Sequence, residues 1–235
     1  MILSIVLMSL LAGITVFFGG VLAYYFDAHF EDTPSKYQFI HTLMSFGAGI
    51  ILSAVALVLI PKGMEELELL PMAFSFVIGA VLFMFIDRYL GKKGGKTATL
   101  LAMLMDFIPE SIALGAVYAI ETNMATLLAL FIGLQNLPEA FNSFRDLTKS
   151  GFSARKTLFL FFILSFFGIV AALIGHFVLS EYPDLTAHLM TFASGGILYL
   201  LFQDIIPESK LQNNYNTSLG ATLGFLVGII GEKVI

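Results

Sequence analysis

Eight apolar runs dominate this chain, at about 2–26, 40–61, 70–90, 97–120, 124–145, 157–180, 185–207 and 216–232. A helix needs ~20 mostly apolar residues to cross the hydrocarbon core of a bilayer. The expected fold is therefore an all-α membrane protein, a single polytopic domain over 1–235 with lipid as its first partner. Composition agrees: only 12% of residues are charged, against ~25% in soluble domains. The first run carries no charge and is too long for a signal-peptide core, so it reads as a retained span. A net charge of −5 does not suggest a nucleic-acid partner. With no cysteine, there is no thiolate metal site and no disulfide frame. No nucleophile elbow, P-loop or H-E-x-x-H occurs, so no enzymatic activity is expected.

Basic residues orient the spans. With the N-terminus outside, the inner connections hold Lys36, then Arg88, Lys92, Lys93 and Lys96, then Arg145, Lys149, Arg155 and Lys156, then Lys210. Only Lys62 and Lys233 fall on the outer side. The positive-inside rule thus favours both termini outside.

An internal repeat refines the plan. The stretch 46–63, FGAGIILSAVALVLIPKG, aligns without a gap on 192–209, FASGGILYLLFQDIIPES. Phe46 meets Phe192, Gly49 meets Gly195 and Pro61 meets Pro207. These are spans 2 and 7, which the orientation runs in opposite directions. Inverted repeats are a transporter signature, with the substrate site near the midplane. The predicted arrangement is 3+2+3, with spans 1–3 repeated as spans 6–8.

The two central spans carry the chemistry. MDFIPESIALG at 105–115 holds Asp106, Pro109 and Glu110; GLQNLPEAF at 133–141 holds Gln135, Asn136, Pro138 and Glu139. Asp106 and Glu110 are four apart, as are Gln135 and Glu139, so each pair shares a helix face. At 1.5 Å per residue, Glu110 and Glu139 fall near mid-membrane. Each buried charge costs roughly 2.5–3.5 kcal/mol there. No Lys, Arg or His of these spans lies at that depth, so a bound divalent cation is the economical partner. Pro109 and Pro138 free the carbonyls of Met105 and Leu134 as further oxygen donors. The other reading is a proline kink with protonated carboxyls hydrogen-bonded between helices.

At these residues the sequence resembles the Zrt/Irt-like protein (ZIP) family of divalent-metal transporters, over nearly the whole chain. The resemblance rests on eight spans, the Asp-Phe-x-Pro-Glu and Gln-Asn-x-Pro-Glu motifs, and the seventh-span ASGGILYLLFQDIIPES. It implies movement of zinc, iron, manganese and related ions, cadmium included, toward the cytosol of a bacterium or archaeon by alternating access. The metal is then substrate, with no permanently bound cofactor. Carried over by position, the metal site would comprise Asp106, Glu110, Gln135, Asn136 and Glu139. Members of the family can be dimeric, so a homodimer is a candidate partner, though no dimer motif stands out.

Departures from the family pattern sharpen the expectation. Asp106 stands where the family usually has His. Phe107 replaces a polar residue that helps form a second metal site, span 6 lacks a carboxylate before Glu181, and the loop GKKGGK has no histidine. One metal site is expected rather than two. The donors are all oxygens, which suits Mn or Fe(II) better than zinc's preferred nitrogen and sulfur. Gln203, Asp204 and Glu208 form an exit or secondary set, or else an interfacial cap. His29 and His41, in the polar stretch FDAHFEDTPSKYQFIH, either receive departing metal or belong to a solvated loop. Glu65, Glu66 and Glu68 either attract cations at the entrance or form a plain acidic loop. His176 and His188 read as packing histidines. A carrier of another cation or of a proton-linked solute, and a non-transporting membrane scaffold, stay open as alternatives.

Overall fold

The computed structural model describes residues 2–93, 96–212 and 214–234, without the side chains of residues 93 and 96–99. Two basic residues used for orientation, Lys93 and Lys96, thus have side chains outside the described set, as do Gly94 and Gly95 of the GKKGGK loop. Eight helices are long and apolar enough to cross a membrane: α1 Ile2–His29, α2 Pro34–Glu66, α3 Leu69–Lys92, α4 Leu100–Tyr118, α5 Thr122–Lys149, α6 Ala154–Leu179, α7 Pro183–Ser209 and α8 Tyr215–Val234. No strand occurs among the described residues.

Several helices outrun the apolar stretches that announce them. The polar stretch between the first two spans is mostly helix, with Asp27 and His29 closing α1, and Lys36 and His41 inside α2. The reason is local capping. Thr33 accepts a hydrogen bond from the Lys36 backbone N–H at 3.2 Å, and Pro34 occupies the first turn. Both choices satisfy or remove amides that a helix start would leave bare.

Packing divides the helices into two groups. The most extensive contacts are α1 on α5, α2 on α8 and α3 on α7, while α4 packs on both α5 and α6. So α1, α4, α5 and α6 form one body and α2, α3, α7 and α8 another, joined chiefly where α2 meets α5 and α4 meets α7.

The repeat seen in sequence returns as matched contacts. A methyl on Gly49 of α2 would strike the Ala221 carbonyl and the Phe225 amide of α8. A methyl on Gly195 of α7 would strike the Phe76 carbonyl and the Ala80 amide of α3. Reciprocally, Gly224 of α8 sits on the Phe46 carbonyl, and Gly79 of α3 on the Phe192 carbonyl. In lipid there is little hydrophobic force between helices, so close backbone approach through small residues is what holds them. The two helices also share a distortion. Val55–Leu59 and Leu201–Ile205 are widened π turns, in which Ile60 N–H bonds to the Val55 carbonyl and Ile206 N–H to the Leu201 carbonyl. Pro61 and Pro207 follow at once. Each lacks the N–H an α turn would use, and the wide turn absorbs the loss.

One end of the bundle is solid. Val58 and Leu59 of α2, Leu114 and Val117 of α4, Leu128 and Phe131 of α5 and Met190 of α7 interlock with almost no exposure. Toward the opposite end a second cluster, Ala23 of α1, Ile40 of α2, Phe144 and Leu147 of α5 and Phe161 of α6, is equally buried, but a cavity opens beside it between α2, α5 and α7.

Candidate metal site

Asp106, Glu110 and Gln135 are buried among α4 and α5, Glu110 completely; Glu139 is half-buried. Gln135 Nε2 donates to Glu110 Oε2 at 2.5 Å, tying α5 to α4. The other oxygens of the pair, Glu110 Oε1 and Gln135 Oε1, are buried with no hydrogen-bond partner. Such orphans are costly in a native interior. Asp106 Oδ1 accepts from the Phe107 backbone N–H at 2.9 Å.

Asp106, Gln135 and Glu139 open onto a cavity of about 220 Å³. Its walls run on through Asn142, Ser143 and Asp146 of α5, Met44 and Gly47 of α2, and Asp204 and Glu208 of α7. The cavity therefore leads from the buried centre to the open end of the bundle, where Glu208 is exposed. Among the described residues no three His, Asp or Glu side chains already converge as a closed cage. The acidic groups line a passage instead.

Gln135, Glu139, Asn142 and Asp146 recur at steps of four, three and four, one stripe of α5. Asn142 and Asp146 were not singled out from sequence, although this spacing announces them. Asn142 Nδ2 donates to Asp146 Oδ2 at 3.1 Å.

Other singled-out residues sit elsewhere. Asn136 points to α1, donating to the Ala12 carbonyl at 3.4 Å, and meets only a small pocket of about 10 Å³ that it shares with Glu139 and Phe107. The Phe107 ring is buried where Gly13 and Gly168 lack side chains; a methyl on Gly168 would lie 2.6 Å from its Cζ. Asp204 and Glu208 line the cavity, whereas Gln203 is exposed and His29 and His41 do not line it. His29 Nδ1 bonds to the Tyr25 carbonyl at 2.8 Å and His41 Nδ1 to the Glu208 carbonyl at 2.9 Å. His188 pairs with Ser75 of α3 at 2.6 Å, and His176 is buried against Tyr118 and Phe177. Glu65 and Glu66 are engaged by Lys62 of their own helix, at 3.5 and 3.0 Å.

Eight membrane-length helices around an acidic, half-open centre define a polytopic membrane protein. The chain belongs to the ZIP zinc transporter family. The family's model, ZIP Zinc transporter, matches residues 95–231, more than half of the chain and all of α4 and α5. Zinc transporter GufA of Myxococcus xanthus is 32% identical over 132 residues, 55% of this chain and 52% of that protein. Zinc transporter zipt-7.1 of Caenorhabditis briggsae is 27% identical over 133 residues, 54% of this chain and 34% of that protein. The matches thus span about half and a third of those relatives' lengths. The family match leaves α1–α3 outside it.

Proposed function

We propose that this chain carries divalent metal cations of the zinc, iron and manganese class across a cytoplasmic membrane toward the cytosol. The cation is held between α4 and α5 by Asp106, Glu110, Gln135 and Glu139, with Asn136 in reserve on the α1 side. The observation that carries the reading is the pair of buried, unpartnered oxygens on Glu110 and Gln135. A divalent cation is the partner that would satisfy both at once, and it would offset the carboxylate charge that the surrounding helices leave unpaired. Family membership and the zinc-transporter relatives support the cargo class.

Direction and topology follow from charge. The repeat and the basic residues support a 3+2+3 plan within one domain, with both termini outside. The open end of the cavity then faces the cytosol, together with Arg145, Lys149, Arg155 and Lys156. Transport by alternating access would close this end and open the sealed one. A donor set of oxygens favours Mn or Fe(II) relative to a site containing His, while Zn remains a strong binder by its place in the affinity series. Phe107, seated where a second polar group would be needed, supports a single cation per site.

The test is uptake into vesicles holding the purified chain, with Mn, Fe(II) and Zn in competition, alongside anomalous scattering from a Mn-soaked crystal. Uptake that is lost on Glu110→Gln, with metal density touching Glu110 and Glu139, is the expected result. No uptake of any of the three and no density at millimolar metal would overturn the reading in favour of a different solute or a scaffold. Zinc outcompeting Mn with no change on Asp106→His would sink the harder-ion preference alone.

A further inference from the structure

The mouth of the cavity presents a problem of charge. Asn142 and Asp146 line it, and the residue next to Asp146 is Arg145. A guanidinium swung into that mouth would repel any departing cation and pair with the acidic wall. Arg145 is instead laid against α1, its side chain only 12% exposed. Its Nε donates to Asp27 Oδ2 at 2.9 Å and to Oδ1 at 3.2 Å, across to the last turn of α1. Among the described residues Asp27 is its one ion-pair partner.

Asp27 also receives Lys36 Nζ at 2.9 Å, yet the two cations depend on it unequally. Lys36 keeps Asp32 at 3.0 Å, the Phe30 carbonyl at 2.8 Å and the Phe26 ring at 5.6 Å. The hydrogen bond and charge of Lys36 hold the Asp32 carboxyl below its ordinary range, so that partner stays ionised. Among the described residues Arg145 has no such second acceptor. Its charge already acts on Asp146, together with that of Lys149.

We propose that Asp27 is a positioning residue for cation passage: it parks the Arg145 guanidinium against α1 and keeps the cavity mouth negative. Without the Asp27 carboxylate, the acidic groups that already feel the Arg145 charge are Asp32, which Lys36 holds, and Asp146 on the cavity wall. With Asp32 engaged by Lys36, Arg145 then turns to Asp146 at the mouth as a tethered plug, since arginine forms strong two-pronged bonds to carboxylates. The proposal rests on the transport reading for its meaning, but its geometry is testable without transport.

The chain has no cysteine, so a single reporter is clean. Ser143→Cys, on the cavity wall, is labelled with a cationic and with a neutral thiol reagent in the full-length protein in vesicles. Introducing Asp27→Asn should slow the cationic reagent by about tenfold or more, the scale of a close charge in a partly solvated site. The neutral reagent should slow less, and ~0.5 M salt should narrow the difference by screening. Asp27→Asn with Arg145→Gln should restore cationic labelling to within about threefold of the parent, since surface charge pairs alone are worth little. Mn and Zn uptake should follow the same order, with Arg145→Gln alone close to wild type. Unchanged labelling in Asp27→Asn overturns the proposal. Equal slowing in the single and double variants also overturns it, because the pair is then only a brace between α1 and α5. If the labelling pattern holds while the wild type moves neither metal, the transport reading fails and the positioning role stands.

Discussion

After its wide turn α2 runs Ile60, Pro61, Lys62, Gly63, while α7 runs Ile206, Pro207, Glu208, Ser209. The backbones match closely: the same widened turn, the same proline, and a glycine three turns earlier pressed on a partner backbone. The side chains do not match. Lys62 is buried and held by Glu65 and Glu66 of its own helix, and Val58 is sealed in the core. Their counterparts Glu208 and Asp204 line the cavity. Glycine and proline therefore set the shape that both halves share, and the residues between them decide which end carries the acidic cavity.

The strongest challenge to this contrast lies at the centre that the open end serves. Glu110→Ala should lower metal uptake by more than the roughly 10–100-fold that outer partners of a metal site cost, with the protein still monodisperse and helical. Surviving uptake would leave the open end of α7 with no purpose. Next comes the shared shape. Gly49→Val and Gly195→Val each drive carbon into backbone, and overpacking of this kind costs about 1–3 kcal/mol. Melting in detergent should show the two variants falling together; a gap beyond about 1 kcal/mol would break the equivalence. Reversing the charge at the open end sharpens the contrast further. Glu208→Lys should slow uptake about tenfold at low salt and less at high salt, whereas Lys62→Met should change uptake little. The smallest effect is expected at the closed end. His188→Ala removes the bond to Ser75 and should cost about 1 kcal/mol of stability, with metal uptake and affinity unchanged. A loss of affinity there would make His188 a ligand rather than a packing group.

Much of this was legible beforehand, for definite reasons. A span announces itself because lipid demands a continuous apolar run, so all eight were found. Their ends were drawn short where capping carries helix past the apolar stretch, as Thr33 and Pro34 do for α2. The central pair was legible because Asp106–Glu110 and Gln135–Glu139 repeat one spacing around a proline. The same stripe continues to Asn142 and Asp146, at a spacing the sequence displays but which was read only as far as Glu139. Asn136 could not be oriented from its position, since its turn toward Ala12 depends on how α1 packs. Gln203 and Asp204 were grouped as neighbours; the widened turn exposes the first and directs the second inward. Arg145 was counted only as one more inner positive charge, because its partner lies far away in sequence at Asp27.

The widened turns carry a consequence about descent. A π turn is an α turn with one residue inserted, and an insertion at the same register in two halves is more economically inherited than acquired twice. On that reading the wide turn and its proline are the older feature, and the side chains around them the newer one. Lys62 and Glu208, at one register position of that shared shape, mark where the two segments differ most in charge.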